Sequence, residues 1–107
     1  MNDSLTILRT IERTIKERKT ADPSTSYVAK RFAKGRAKIA QKIGEEGVEL
    51  ALALVLDNKL EVVNESADLL FHIMIGLESA GVTLDQVMEE MARREGKSGI
   101  EEKKNRV

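Results

Sequence analysis

Residues 41–56 read QKIGEEGVELALALVL. Glu45, Glu46 and Glu49 fall within five positions, Gly44 and Gly47 bracket two of them, and an unbroken apolar run follows. A helix through 50–56 (LALALVL) is apolar on every side and must be buried on every side. Three like charges at its mouth call for a cation among them.

The helix predicted through this stretch runs from about Arg36 to Leu56. DNK at 57–59 makes a tight turn, and a second helix occupies about 60–80, ended by Gly81. Its segment 69–77, LLFHIMIGL, is again apolar on nearly every side. Upstream, Leu5, Leu8, Ile11 and Ile15 recur at helical spacing, with Asp3 or Ser4 as N-cap. ADPSTS at 21–26 holds the only proline and forms a loop, and a shorter helix follows from about Tyr27, interrupted or bent near Gly35. Downstream, Thr83 caps a last helix whose Leu84, Val87, Met88 and Met91 follow i, i+3, i+4, i+7 spacing.

Strand signals are missing: there is no alternation and no hairpin dipeptide. The expected fold class is therefore all-α, a helical bundle of four to five helices. Residues 1–95 form its one domain and 96–107, GKSGIEEKKNRV, a C-terminal tail with little core of its own. A 107-residue chain buries only about 65% of its unfolded surface, too little to cover two helices that are apolar all round. The bundle is expected to be completed by self-association, as a homodimer or a higher assembly.

Composition narrows the function. With no cysteine there is no disulfide framework and no thiolate nucleophile or metal site. The 18 basic and 18 acidic side chains cancel and aromatics are 3%, which argues against nucleic acid as a partner. No apolar run nears the roughly 20 residues of a membrane span, and MNDSLTILRT lacks the pattern of a secretory signal. A cytoplasmic protein without a membrane partner is the expectation.

Charge is segregated along the chain. Between Asp22 and Glu45 stand Lys30, Arg31, Lys34, Arg36, Lys38 and Lys42 with no acid; from Glu45 to Glu78 Lys59 is the sole cation. On a helix Glu46 and Glu49 share a face, and Glu45 stands one turn before Glu49. Glu65 and Asp68 repeat the spacing on the next helix. An antiparallel hairpin turning at 57–58 sets Glu49 opposite Glu65 and Glu46 opposite Asp68. Two such charges about 5.5 Å apart repel by roughly 3 kcal/mol at an effective dielectric near 20. Either protons or cations must neutralise them, and a hard divalent ion with oxygen ligands is the natural partner. Gly44 and Gly47 inside the helix suggest close approach by a neighbouring backbone or a ligand.

Each feature also has a plain structural reading. Single glutamates belong to solvated helix faces, and Lys30, Lys34, Lys38 and Lys42 at i+4 spacing look the same. Beside a metal-ready acid cluster, however, the basic segment reads as a phosphate-binding wall, with Arg31 and Arg36 able to grip oxygens bidentately. His72, four residues after Asp68, joins the site or is a satisfied core histidine. A di-iron bundle is excluded, because it needs Glu-x-x-His on two helices and this chain has one histidine.

The order Glu46-x-x-Glu49, fifteen residues, then Glu65-x-x-Asp68 resembles the all-α nucleotide pyrophosphohydrolase (MazG-like) superfamily. SYVAKRFAKGRAKIAQKIGEEGVE (26–49), ESADLLFH (65–72) and RREGKSGIEEK (93–103) narrow the resemblance to the phosphoribosyl-ATP pyrophosphohydrolase family, over nearly the whole chain. That resemblance implies Mg²⁺ held by Glu46, Glu49, Glu65 and Asp68, with Glu45 as a further ligand or the general base. It implies cleavage of phosphoribosyl-ATP between the α- and β-phosphates to phosphoribosyl-AMP and pyrophosphate, in the second step of histidine biosynthesis. Lys30, Lys34, Arg36, Lys38 and Lys42 would hold the phosphates. The alternatives are a house-cleaning nucleoside-triphosphate pyrophosphohydrolase using the same metal site, or a non-catalytic helical interaction module.

Overall fold

The structure, a computed structural model, describes residues 4–105, and all regular structure among them is helical. The helices are α1 (Thr6–Arg18), α2 (Tyr27–Lys34), α3 (Arg36–Val55), α4 (Lys59–Ser79), α5 (Leu84–Arg94) and α6 (Gly99–Asn105). Five match the expected bundle. The sixth is a short helix within the stretch expected as a tail, with Ile100 exposed.

The punctuation follows local chemistry. Asp22 organises the first loop: its carboxylate accepts from the Ser24 N–H and hydroxyl, and its carbonyl from Ser26 N–H. Ser26 then caps α2 by accepting from Ala29 N–H at 3.2 Å. Gly35, at φ +93°, takes a conformation closed to most side chains and separates α2 from α3. Asn58 caps α4 through Glu61 N–H, and Thr83 with Gln86 forms a full capping box on α5. Only the first cap departs from expectation. Leu5 occupies the N-cap of α1 and has no side-chain acceptor, Ser4 contributes its backbone carbonyl to Ile7, and Asp3 lies outside the described residues.

α3 and α4 form an antiparallel hairpin and make the most extensive contact in the molecule; α1 packs on α4 and α2 on α3. The core lies at one end of this hairpin. Ile15 of α1, Val28 of α2, Ile39 of α3, Met74 and Ile75 of α4 and Leu84 of α5 are buried together, with Leu8, Ile11, Phe32, Ile43 and Phe71 around them. A Cβ on Gly76 would stand 2.9 Å from Ile43 Cδ1, so glycine there lets the two helices close. Glu12 and Glu78 tie the periphery: Glu12 accepts from Leu84 N–H at 2.7 Å, and Glu78 lies 2.9 Å from Lys19 Nζ.

The other end of the hairpin has no such cover. Of LALALVL only Ala53 is buried, Val55 is 81% exposed and Leu56 76% exposed, and Leu60 and Val63 opposite them are exposed too. The radius of gyration, 15.8 Å, exceeds the about 13 Å typical of a compact chain this long. The hairpin therefore projects from the core, and Glu46, Glu49, Glu65 and Asp68 sit at the junction of its packed and uncovered halves. Among the described residues no single helix is long and apolar enough to cross a membrane.

Candidate functional site

The hairpin gathers acids from both helices. One carboxylate oxygen each from Glu46, Glu49 and Glu65 lies within 4.8 Å of the others. Glu46 is buried, at 5% exposure, Glu65 is half-buried and Glu49 is exposed. Asp68, expected opposite Glu46, stands one turn beyond Glu65 with an exposed side chain and outside this convergence, although its charge reaches Glu65. Glu45 points elsewhere. It lines a groove with Arg31, Lys34, Lys38, Gln41 and Lys42.

Electrostatics at the triad are strained in the expected sense. Burial pushes the Glu65 carboxyl up to about 7; a hydrogen bond with Glu49 and the charges of Glu49, Asp68 and Glu46 push the same way. At neutral pH Glu65 is thus close to half-protonated. Two buried oxygens, Glu46 Oε2 and Glu65 Oε2, have no hydrogen-bond partner. Buried acceptors are normally satisfied. An all-oxygen donor set with two orphaned buried oxygens fits a hard divalent cation. Glu49 and Glu65 also edge a pocket floored by Leu52, Ala53 and Leu56.

The cations divide. Lys34, Lys38 and Lys42 share the groove, joined by Arg31, whose guanidinium lies 5.6 Å over the Tyr27 ring and whose Nε is buried without a partner. Lys42 is also bound to the triad: its ammonium is 3.0 Å from Glu46 Oε1, and that contact, with the nearby Glu46 and Glu45 charges, raises its pKa against the cost of burial. Lys30 is exposed and does not line the groove. Arg36 is turned away, donating to the Ser79 carbonyl and lining a separate apolar groove with Ile39, Ile43 and Gly76. Gln41 and Tyr27 are not among the expected site residues. Helical spacing held the signal for both, since Tyr27 is i−4 to Arg31 and Gln41 is i+3 to Lys38.

His72 is buried and bonded at both ring nitrogens, to the Tyr27 hydroxyl and to the Asp68 backbone carbonyl. It is a satisfied core histidine. The glycines need a correction. A Cβ on Gly44 or Gly47 would meet nothing within 4 Å, so among the described residues no backbone packs against either one, and of the two expected causes only a ligand is left. Close approach within the chain belongs to Gly76 instead.

Comparison with known proteins gives a consistent picture. Residues 8–95 match the family described as phosphoribosyl-ATP pyrophosphohydrolase. The chain is 54% identical over 100 residues to the phosphoribosyl-ATP pyrophosphatase of Novosphingobium aromaticivorans, covering 94% of each protein. It is 55% identical over 93 residues to the protein of the same name from Rhizorhabdus wittichii, covering 87% of this chain and 88% of that one. The histidine biosynthesis bifunctional protein HisIE of Escherichia coli is 46% identical over 84 residues, 78% of this chain and 41% of that protein.

Proposed function

The chain belongs to the phosphoribosyl-ATP pyrophosphohydrolase family, and on that premise we propose that it is a hydrolase cleaving the α–β phosphoanhydride of phosphoribosyl-ATP. The products are phosphoribosyl-AMP and pyrophosphate, and the reaction is the second step of histidine biosynthesis, carried out in the cytoplasm. The observation that carries the site assignment is the pair of buried, unpartnered oxygens on Glu46 and Glu65, set with Glu49 across a two-helix gap.

Glu46, Glu49 and Glu65 would hold Mg²⁺, with Asp68 supplying a fourth carboxylate from the next turn of α4. When bound, the ion neutralises triphosphate charge and acidifies the attacking water. The chain's own groups do the rest. Lys34, Lys38 and Lys42, with Arg31, form a cationic wall that orients the phosphates beside the carboxylates, which narrows the phosphate-binding set by omitting Lys30 and Arg36. Glu45 faces the same groove and would serve as general base for the attacking water. The uncovered half of the hairpin, from Leu52 to Val63, supports association into a homodimer.

Pyrophosphate release tests the reading, measured with phosphoribosyl-ATP and Mg²⁺ beside a panel of ordinary nucleoside triphosphates and an EDTA control. Magnesium-dependent release from phosphoribosyl-ATP alone is expected. Release mainly from the panel would move the protein to nucleotide house-cleaning, and no release from any substrate would leave a non-catalytic bundle.

A further inference from the structure

Lys42 has two neighbourhoods of opposite sign. It lines the cationic groove with Arg31, Lys34 and Lys38, and its ammonium holds Glu46 Oε1 at 3.0 Å. Glu46 is the most buried member of the carboxylate triad, and its second oxygen, Oε2, is buried without a partner. One carboxylate of the triad is thus counter-ion to a lysine through one oxygen and keeps its other oxygen buried without a partner.

Resting on the metal-site reading above, we infer that Lys42 is a positioning residue that competes with the divalent ion for Glu46. When the ion takes the carboxylate, Lys42 is released to the substrate's phosphates. An ammonium and a dication on one carboxylate repel each other, and the mobile partner must yield. Glu46 has little freedom, with its side chain 6% exposed; Lys42, at 31%, has room to swing on a flexible four-carbon stem. The groove beside it carries Arg31, Lys34 and Lys38 against one acid, Glu45, so a bound phosphate supplies the negative charge that draws Lys42 into it. The exchange makes metal and phosphate binding mutually supportive, and such coupling is reciprocal. The rival role, a fixed outer support that orients Glu46 for the metal, predicts the opposite effect of removing the lysine.

Mn²⁺ binding by titration calorimetry separates these, using the full chain as wild type, Lys42→Met and Lys42→Gln, with helix content checked for each. Competition predicts that the neutral variants bind Mn²⁺ alone about fivefold tighter than wild type, the worth of a partly exposed ion pair. In saturating Mn²⁺ they should bind inorganic triphosphate at least as many-fold weaker. Lys42→Arg, which keeps the charge, should stay close to wild type in Mn²⁺ affinity. Wild type that binds Mn²⁺ beside folded neutral variants that bind it no tighter would overturn this inference alone. Wild type that binds no Mn²⁺ would overturn the metal-site reading together with it.

Discussion

The Tyr27 hydroxyl lies 2.7 Å from His72 Nε2, and His72 Nδ1 lies 2.7 Å from the Asp68 backbone oxygen. A carbonyl can only accept, so Nδ1 carries the proton, and in the neutral ring Nε2 accepts from the tyrosine. Both nitrogens are committed, which leaves His72 no lone pair for a metal. The three residues instead tie the start of α2 to the turn of α4 that bears Asp68. Arg31 rests over the same tyrosine ring, so this tie also reaches the cationic groove.

Tyr27→Phe removes one hydroxyl and leaves a buried acceptor on His72. The expected cost is about 1 kcal/mol of stability, read from urea unfolding. Because the ring stays beneath Arg31 and no triad member is touched, Mn²⁺ affinity should remain within about twofold of wild type. A large loss of metal binding would show that His72 acts at the metal itself.

Glu46→Gln and Glu65→Gln each keep the volume of the side chain and remove a metal donor. Each should lower magnesium-dependent pyrophosphate release at least about a hundredfold, since even outer partners of a metal site are worth ten- to a hundredfold. Helical circular dichroism should be unchanged, because the core of Ile15, Ile39, Met74 and Ile75 lies away from both residues. Retained full activity in both variants would remove the triad from the reaction.

Glu65 also sets a pH dependence of unusual sign. Its folded pKa, about 7, lies above the ordinary glutamate range, so the folded state takes up this proton before the unfolded chain does. Its destabilising contribution is complete above pH 7 and is relieved as pH falls toward the ordinary value. In EDTA, Tm should therefore rise on acidification from pH 8 to pH 5.5, and Glu65→Gln should flatten that rise. Glu90, drawn down to about 2 by Arg93 and Arg94, and Asp22, lowered by Ser24, titrate below this window and do not mask it. Metal affinity should fall over the same interval, as the proton competes for Glu65.

Helix periodicity and capping chemistry made most of the fold legible in advance. Gly35, Asn58, Gly81 and Thr83 each mark a boundary through a local conformational need that single residues disclose. The convergence of Glu46, Glu49 and Glu65 was legible too, because a short turn at 57–58 fixes the register of an antiparallel hairpin. The orientation of individual side chains was not. The register of the hairpin sets the height of Asp68 but not the direction of its side chain, and its carboxylate lies outside the convergence of the other three. Lys34 and Arg36 are two residues apart, yet the break at Gly35 reorients the chain between them and sends them to different grooves. Gly44 and Gly47 carried a true cue of low helix propensity, but nothing among the described residues packs against them.

The uncovered end of the hairpin gives the last prediction. Val55, Leu56, Leu60 and Val63 are exposed around the turn that joins α3 to α4. Full burial of each such side chain is worth about 1.5–3 kcal/mol. In a two-fold assembly every contact occurs twice, so one substitution acts on both copies. Val55→Glu combined with Leu56→Lys adds charges at an apolar seam without touching the core cluster around Ile15 and Ile75. Light scattering after size exclusion should show wild type as a dimer and the double variant as a helical monomer, with Kd raised at least about a hundredfold. A wild-type monomer at high concentration would remove self-association from the proposal while leaving the carboxylate chemistry intact. A double variant that stays dimeric would move the seam to another face, such as the apolar groove between Ile39 and Gly76.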